Sequence, residues 1–392
     1  MGTPLYKFLL DRADDAVRDP GGIIRPGHNG PYHDPETPIR VQGHWLITFL
    51  WAWRWTGEAR YREIAAKLAE SIVDPQWREG DASFHHRDSA KKDHCNGLIG
   101  QAWSFEALTA AAAAFDAPEH LDLAGSVFLK HPFNETCGLW NRLETDGRVL
   151  SIDATFNHQL WFAATAAALP LEEARRRAAR FMDELPGNLT VLEDGLIYHP
   201  ILRTIDDPHA GKKPQRSARS LVAAARNRMR GAIGSLLGRK ESPDQRAAMI
   251  HKSIGYHNFN TFALALLKKE LPDHSFWRSE PFSRIVSYLR SDAFFAGLEG
   301  NSFGYPYNAP GFEVPYSLAV LVPEADQNEL IERSRRFVNR QLELTYNTAT
   351  CRFDRGNPDP STLTSRIYAL TRLPNGWLES ISVEADGGGG RG

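Results

Sequence analysis

The sequence predicts an all-α fold: a closed ring of helical hairpins of the (α/α)6 toroid type, carrying a basic helical insertion. Three observations point there. Helical periodicity dominates the 392 residues, and alternating strand patterns are scarce. Polar, aromatic-rich clusters recur, each opening an apolar helical stretch. They are Gly43-His44-Trp45, Asp93-His94-Cys95-Asn96, Asn157-His158-Gln159-Leu160-Trp161, Gly255-Tyr256-His257-Asn258-Phe259-Asn260 and Tyr305-Pro306-Tyr307-Asn308. Their spacing is roughly 50–60 residues, as a helix-turn-helix repeat requires, apart from one interval of 100 residues between Asn157 and His257.

Taken in order, the N-terminal residues 1–18 alternate apolar positions with Asp11, Arg12, Asp14 and Asp15. That is an amphipathic helix and not the unbroken apolar core of a signal peptide. Five hairpins follow. Their helices span 44–56 and 59–73, 96–115 and 119–130, 157–168 and 171–185, 256–271 and 276–291, and 312–322 and 327–346. Turn or breaker residues separate the two helices of each pair: Thr56-Gly57, Asp116-Ala117-Pro118, Pro170, Pro272-Asp273 and Pro323. A sixth leading helix, 362–373, begins near Asp359-Pro360-Ser361, and the N-terminal helix is placed to pair with it. An open solenoid is the alternative. The leading helices favour a ring, because they are apolar and aromatic throughout (Trp45, Phe49, Leu50, Trp51, Trp53), as helices buried on both sides are. The following helices carry the charge (Glu172, Glu173, Arg175, Arg176, Arg177), as an outer layer does. One domain over 1–380 is expected, with an insertion at 203–252 and a glycine-rich, disordered tail at 381–392.

Within the insertion, residues 203–240 hold ten Lys/Arg against two Asp, and 217–237 reads as a basic amphipathic helix. It packs on the ring as a solvated surface helix, or it forms a lid or an anionic contact to polymer or membrane.

Bulk properties exclude several classes. Hydrophobic content of 42% and charged content of 24% describe an ordinary globular protein. A net charge of −2 argues against a dedicated nucleic-acid binder. No stretch reaches the ~18 apolar residues of a membrane span. Cys95, Cys137 and Cys351 are odd in number and dispersed, which fits neither a disulfide framework nor a zinc motif and suggests a reducing, cytoplasmic setting. His85 and His86, near Asp93 and His94, are metal-ligand candidates without standard spacing, so no metal is expected. There is no phosphate-binding glycine loop and no Gly-x-Ser-x-Gly elbow, so no cofactor is expected.

The clusters supply groups for sugar chemistry. Asn157 and His158, with Trp161 one turn on, are the sharpest local signal, although an Asn at a helix start also caps. Tyr256, His257, Asn258 and Asn260 pack four hydrogen-bonding side chains into five positions. Tyr305, Tyr307 and Asn308 form a Pro-stiffened aromatic loop suited to stacking on sugar faces, followed by Glu313 and Tyr316. His44, Asn96 and Arg366 stand near other leading-helix entrances.

At this point the Asn157, His158 and Trp161 arrangement resembles the (α/α)-toroid polysaccharide lyases of the alginate lyase and heparinase type. The strings HWLITFL at 44–50, HCNGLIGQAW at 94–103 and FNHQLWFA at 156–163 are also similar to AglQ-type proteins of glycosylation gene clusters. Both resemblances imply a glycan substrate containing uronic acid. The lyase resemblance implies Asn157 on the uronate carboxylate, His158 or His257 as base, and Tyr256 or Tyr307 as acid. This chain carries a single Asn before His158, where the lyase element has two.

The expected activity is therefore β-elimination, with C5-epimerisation on nearly the same residues. A glycoside hydrolase is the alternative and needs two carboxylates ~5–10 Å apart, for which Asp93, Asp153 and Glu313 are the candidates. A non-catalytic glycan-binding protein of a polysaccharide assembly system is the third.

Overall fold

A computed structural model describes residues 2–210, 242–322 and 326–384. The expected 217–237 helix, the Pro323 breaker and the glycine run 387–392 lie outside the described residues.

Among the described residues, twelve helices of the ring alternate between an outer and an inner layer, outer first, with shorter helices in the loops between them. They are α1 (Leu5–Arg18), α2 (Ile39–Thr56), α3 (Ala59–Val73), α4 (Gly97–Phe115), α5 (Pro118–Lys130), α6 (Phe156–Ala167), α7 (Glu172–Asp183), α8 (Pro243–Glu270), α9 (Glu280–Leu289), α10 (Pro310–Leu321), α11 (Gln327–Thr345) and α12 (Pro360–Ser365). The inner helices pack in sequence, α2 on α4, α4 on α6, α6 on α8 and α8 on α10. The 3-10 turn Arg366–Arg372, which continues α12, touches both α10 and α2 and closes the ring. This is an all-α (α/α) toroid.

Burial follows the sequence pattern. Every residue from Ile39 to Ala52 of α2 is buried, as is every residue from Gly97 to Leu108 of α4. A helix wrapped on all sides must be apolar all round. Outer α7 buries only Ala174, Ala178, Phe181 and Met182, a single helical stripe. Its other face carries Arg176 and Arg177, both paired to Glu173.

Among the described residues there are five short strands: β1 (Thr3–Pro4), β2 (Phe133–Asn134), β3 (Leu139–Leu143), β4 (Val149–Ile152) and β5 (Ser382–Val383). β1 pairs antiparallel with β5, setting Thr3 opposite Val383, and so staples the two ends of the chain beside the ring closure. Strands β2 to β4 form an antiparallel sheet between α5 and α6, with Trp140 fully buried against Phe162. The Asp146-Gly147 turn that joins β3 to β4 is a hairpin signal the helical reading passes over.

Two helices differ from expectation. The fourth inner helix starts at Pro243, where Ser242 and Gln245 form a reciprocal capping box, and not at Tyr256. Its first turns are polar and exposed, and full burial begins at Ser253, which made the segment read as part of the insertion. The last inner helix winds as α only to Ser365 and then tightens to 3-10 up to Arg372, ending before Pro374.

Candidate active site

Loops at the inner-helix entrances surround a cavity of about 260 Å³. Asn29, Tyr32 and Asp34 reach it from the N-terminal loop, and Arg87, Lys92 and Asn96 from the loop before α4. Thr155, Asn157 and His158 come from the start of α6, and His199 from the loop after α7. Lys252, Tyr256 and Phe259 come from α8, with Arg40, Ile99, Trp103, Tyr307, Asn308 and Arg366 completing the wall.

The strongest arrangement is at the α6 entrance. Asp153 is buried and accepts the backbone N–H groups of Leu98 (3.2 Å) and Thr155 (3.1 Å). Its Oδ2 lies 2.8 Å from His158 Nδ1. Burial alone would raise this carboxyl. The adjoining His158, Arg142 and the Leu98 N–H outweigh burial and hold it below the usual carboxylate range. An ionised Asp153 accepts the Nδ1–H hydrogen bond, so His158 keeps its lone pair on Nε2, a base oriented by a carboxylate. The imidazole is 24% exposed, the acid 6%.

Across the lining sits a tyrosine network. Tyr32 and Tyr256 hydroxyls are 2.9 Å apart, and Tyr307 donates to Asn29 Oδ1 at 2.8 Å. Burial pushes the Tyr256 phenol well above its ordinary value, with Tyr307 and Tyr32 adding to it, so the group stays protonated. Asp359 shapes this side by accepting the N–H groups of His28 (3.0 Å) and Gly30 (2.9 Å). Gly30 has φ +54, and a Cβ there would meet the Tyr307 ring at 2.2 Å, so the close approach of loop to ring requires glycine.

Five cations line the cavity against one carboxylate among the described residues, Asp34. Arg40 lies 3.1 Å from Glu36 and 3.8 Å over the Trp103 ring. Arg87 binds Asp93 at 2.8 Å, Lys92 binds Asp34 at 2.6 Å, and Arg366 binds Glu313. Several buried polar atoms beside the cavity have no partner: Asn96 Nδ2, Asn157 Oδ1 and His199 Nδ1. Burial, helped by the Lys252 charge, holds His199 neutral.

Of the residues expected at a site, Asn96, Asn157, His158, Tyr256, Tyr307, Asn308 and Arg366 line this cavity. The others do not. His44 is within 3.2 Å of Ser365 and stacks on Tyr368 in the core. Trp161 stacks on Phe259 and Phe262 and donates to the Phe259 carbonyl, so it has no face for a sugar. His257 follows Tyr256 by one residue and therefore points to another side of α8, where its Nδ1 accepts the Ile197 N–H and its ring packs on Tyr288 and Phe294. Asn258 donates to the Asn308 carbonyl and to Glu313. Asn260 and Tyr305 are buried away from the cavity. Of the three hydrolase candidates, Asp93 is locked between Arg87 (2.8 Å) and Arg142 (2.7 Å), Glu313 lies behind Arg366, and Asp153 stands behind His158. None lines the cavity. His86 is within 2.8 Å of Ser104 Oγ and His85 within 2.8 Å of Asp88. Among the described residues no group of three or more His, Cys, Asp or Glu is placed to share a metal ion.

Sequence reasoning missed Asn29, Tyr32, Asp34, Arg40, Arg87, Lys92, Trp103, His199 and Lys252. A signal existed for some. Residues 27–33 read Gly-His-Asn-Gly-Pro-Tyr-His, and 198–200 read Tyr-His-Pro, both polar aromatic clusters of the kind found at the other entrances.

No protein-family model matches the chain. It is 40% identical over 378 residues to the archaeal glycosylation protein Q of Haloferax volcanii, covering 95% of this chain and 98% of that protein. Among solved structures, the unsaturated glucuronyl hydrolase of Bacillus sp. GL1 superposes with TM-score 0.57 at 13% identity, over 97% of this chain and 100% of the other. The cellobiose 2-epimerase of Bacillus thermoamylovorans superposes with TM-score 0.58 at 10% identity, over 92% and 98%. An α-1,6-mannanase variant of Salegentibacter sp. does so with TM-score 0.56 at 12% identity, over 94% and 98%. These structures share the toroid with this chain. No described helix is long and apolar enough to cross a membrane.

Proposed function

Because the chain belongs to the archaeal glycosylation protein Q family, we propose that it acts on a glycan, by moving a proton at the carbon beside a uronate carboxylate. β-Elimination is the reaction this reading favours. One observation carries it: an Asp-oriented imidazole and protonated tyrosines share a cavity lined by five cations, four of them paired with carboxylates.

The proton beside a carboxylate is removed only when the charge developing on that carboxylate is stabilised. The cationic lining and the N–H groups of the Asn157 amide suit that task. His158 Nε2 takes the C5 proton, and the C5–H electron pair forms the C4–C5 double bond. The C4–O4 bond breaks, and Tyr256 gives its proton to the departing oxygen. His158 then releases its proton to water, and Tyr256 takes one back from water through Tyr32, whose hydroxyl is 2.9 Å away. An epimerase would return a proton to C5 from the opposite face with the same residues. Hydrolysis calls for two carboxylates flanking the bond, and Asp34, the carboxylate at the wall, is bound to Lys92. We assign the reaction to the cytoplasm, following the dispersed cysteines.

The test mixes purified protein with uronate-containing oligosaccharides in heavy water. A rise in ultraviolet absorbance from the new double bond is the expected result. Deuterium at C5 without that rise would mean epimerisation. New reducing ends with neither signal, or binding with no change in the sugar, would overturn the proposal.

A further inference from the structure

Four of the five cations at the cavity wall are occupied. Arg40, Arg87, Lys92 and Arg366 each hold a carboxylate. Lys252 holds none among the described residues. It sits on α8 one turn before Tyr256, with its ammonium 5.4 Å from the Tyr32 ring centroid, 5.5 Å from that of Tyr256 and 5.8 Å from that of Phe303. The group is partly buried, and burial lowers its pKa.

Ring faces return only part of the hydration a buried ammonium gives up. The remainder calls for an anion. The neighbouring polar groups cannot be that anion: the Tyr32 and Tyr256 phenols are protonated, and His199, beside Tyr256 at 4.5 Å between rings, is neutral. His199 Nδ1 and Asn157 Oδ1 are also buried without partners at this wall. These atoms line the same cavity as the unpaired ammonium and can pair with the hydroxyls of a sugar whose carboxylate it holds. The cavity, at about 260 Å³, is below the ~300–1,000 Å³ of pockets that hold drug-sized ligands, so it suits one sugar unit and not a run of polymer.

We propose that Lys252, held in its aromatic cage, binds the carboxylate of a single acid sugar at the reducing end of a chain, where O4 still carries the rest of the glycan, and makes the protein selective for charge at that end. This rests on the glycan reading above. It adds the residue that chooses the substrate and the end-on mode in which the substrate enters.

The test measures binding, in a His158→Ala background so that turnover cannot confuse it. The probes are short oligosaccharides ending in glucuronate, galacturonate, mannuronate, guluronate or iduronate, each beside its methyl ester and its neutral hexose counterpart. At least one acid is expected to bind about 10-fold or more tightly than its ester, the scale of a hydrogen bond to a charged group. Lys252→Met should abolish that preference, and Lys252→Arg should restore most of it. Capping that sugar at its anomeric carbon with a further residue should weaken binding. Equal affinity for acid and ester, a preference that survives Lys252→Met, or no binding across the panel would each overturn the proposal. Should Lys252→Met fail to fold, Lys252→Gln carries the same comparison. A preference that depends on Lys252 in a protein that never moves the C5 proton would leave the anchor standing and remove only the proton-transfer reading.

Discussion

Two ion pairs stand at inner-helix entrances of this ring, and they have been put to different use. Glu313 and Arg366 are each 3% exposed. Both acid oxygens are taken, one by Arg366 and the other by the Asn258 amide at 2.6 Å. Asp153 and His158 also begin with a buried acid, here held by two backbone N–H groups, but the imidazole is open to the cavity. A guanidinium cannot give up its proton in a protein, whereas an imidazole can. A buried pair in which both acid oxygens are engaged serves the fold. A pair whose base keeps one free nitrogen at a cavity can serve chemistry.

The largest effects should come from removing that free nitrogen or its orientation. His158→Ala is expected to lower turnover of uronate oligosaccharides by about 100-fold or more, with an unchanged melting temperature. Asp153→Asn should act in the same direction, because an amide at that place can donate to Nδ1 and move the imidazole proton to Nε2. Tyr256→Phe should reduce turnover by about 100-fold as well. Steady-state rates and melting curves decide the matter. Wild-type turnover in the His158 and Tyr256 variants would erase the distinction between the two ion pairs.

Glu313 offers the opposite test, since its effect should fall on stability and on pH. Burial pushes its carboxyl up to about 7 in spite of Arg366 and Asn258. A folded-state pKa above the unfolded one means that the native state holds the proton more tightly. The stabilisation is complete below the unfolded carboxyl's ordinary 4.5 and is lost as pH rises through about 7. The wild type should therefore lose up to about 3 kcal/mol across that window from this group. Glu313→Gln should remove that slope. Denaturant titrations of both proteins at a series of pH values make the comparison, and parallel curves would count against it.

Much of the ring could be read in advance, and the reasons are physical. Inner helices such as α2 and α4 are apolar on all sides because both layers enclose them, and outer α7 carries its charges outward. Those patterns need no partner to be visible. The Asp153–His158 pair was half visible: His158 stood out at its helix entrance, but its link to Asp153 depends on how the chain turns through Thr155. In the sequence Glu313 is only a carboxylate near an entrance, and packing alone reveals that it lies behind Arg366. Lys252 was hidden by composition, because the polar start of α8 follows a basic stretch. The loop at 27–33 carried a legible cluster, yet its position ahead of the first hairpin placed it outside the repeat. In each case the sequence reveals periodic burial well, and long-range pairing poorly.

The smallest effect, and the narrowest test, concerns His257. In sequence it is as good a base as His158, at a helix position rich in polar side chains. Burial lowers its pKa to about 3, so it is neutral at ordinary pH. Its Nδ1 accepts the Ile197 N–H at 3.4 Å, and its ring meets Tyr288 and Phe294 edge to face, so it ties the loop after α7 to the outer layer. His257→Ala leaves that backbone N–H buried without an acceptor, which should cost about 1–3 kcal/mol. Turnover at saturating substrate should stay within about twofold of wild type, since general-base loss costs far more. A stable His257→Ala protein with turnover down as far as in His158→Ala would place the base on α8 instead of α6. A destabilised protein that still turns over would show that one step along a helix separates a residue of the fold from a residue of the cavity.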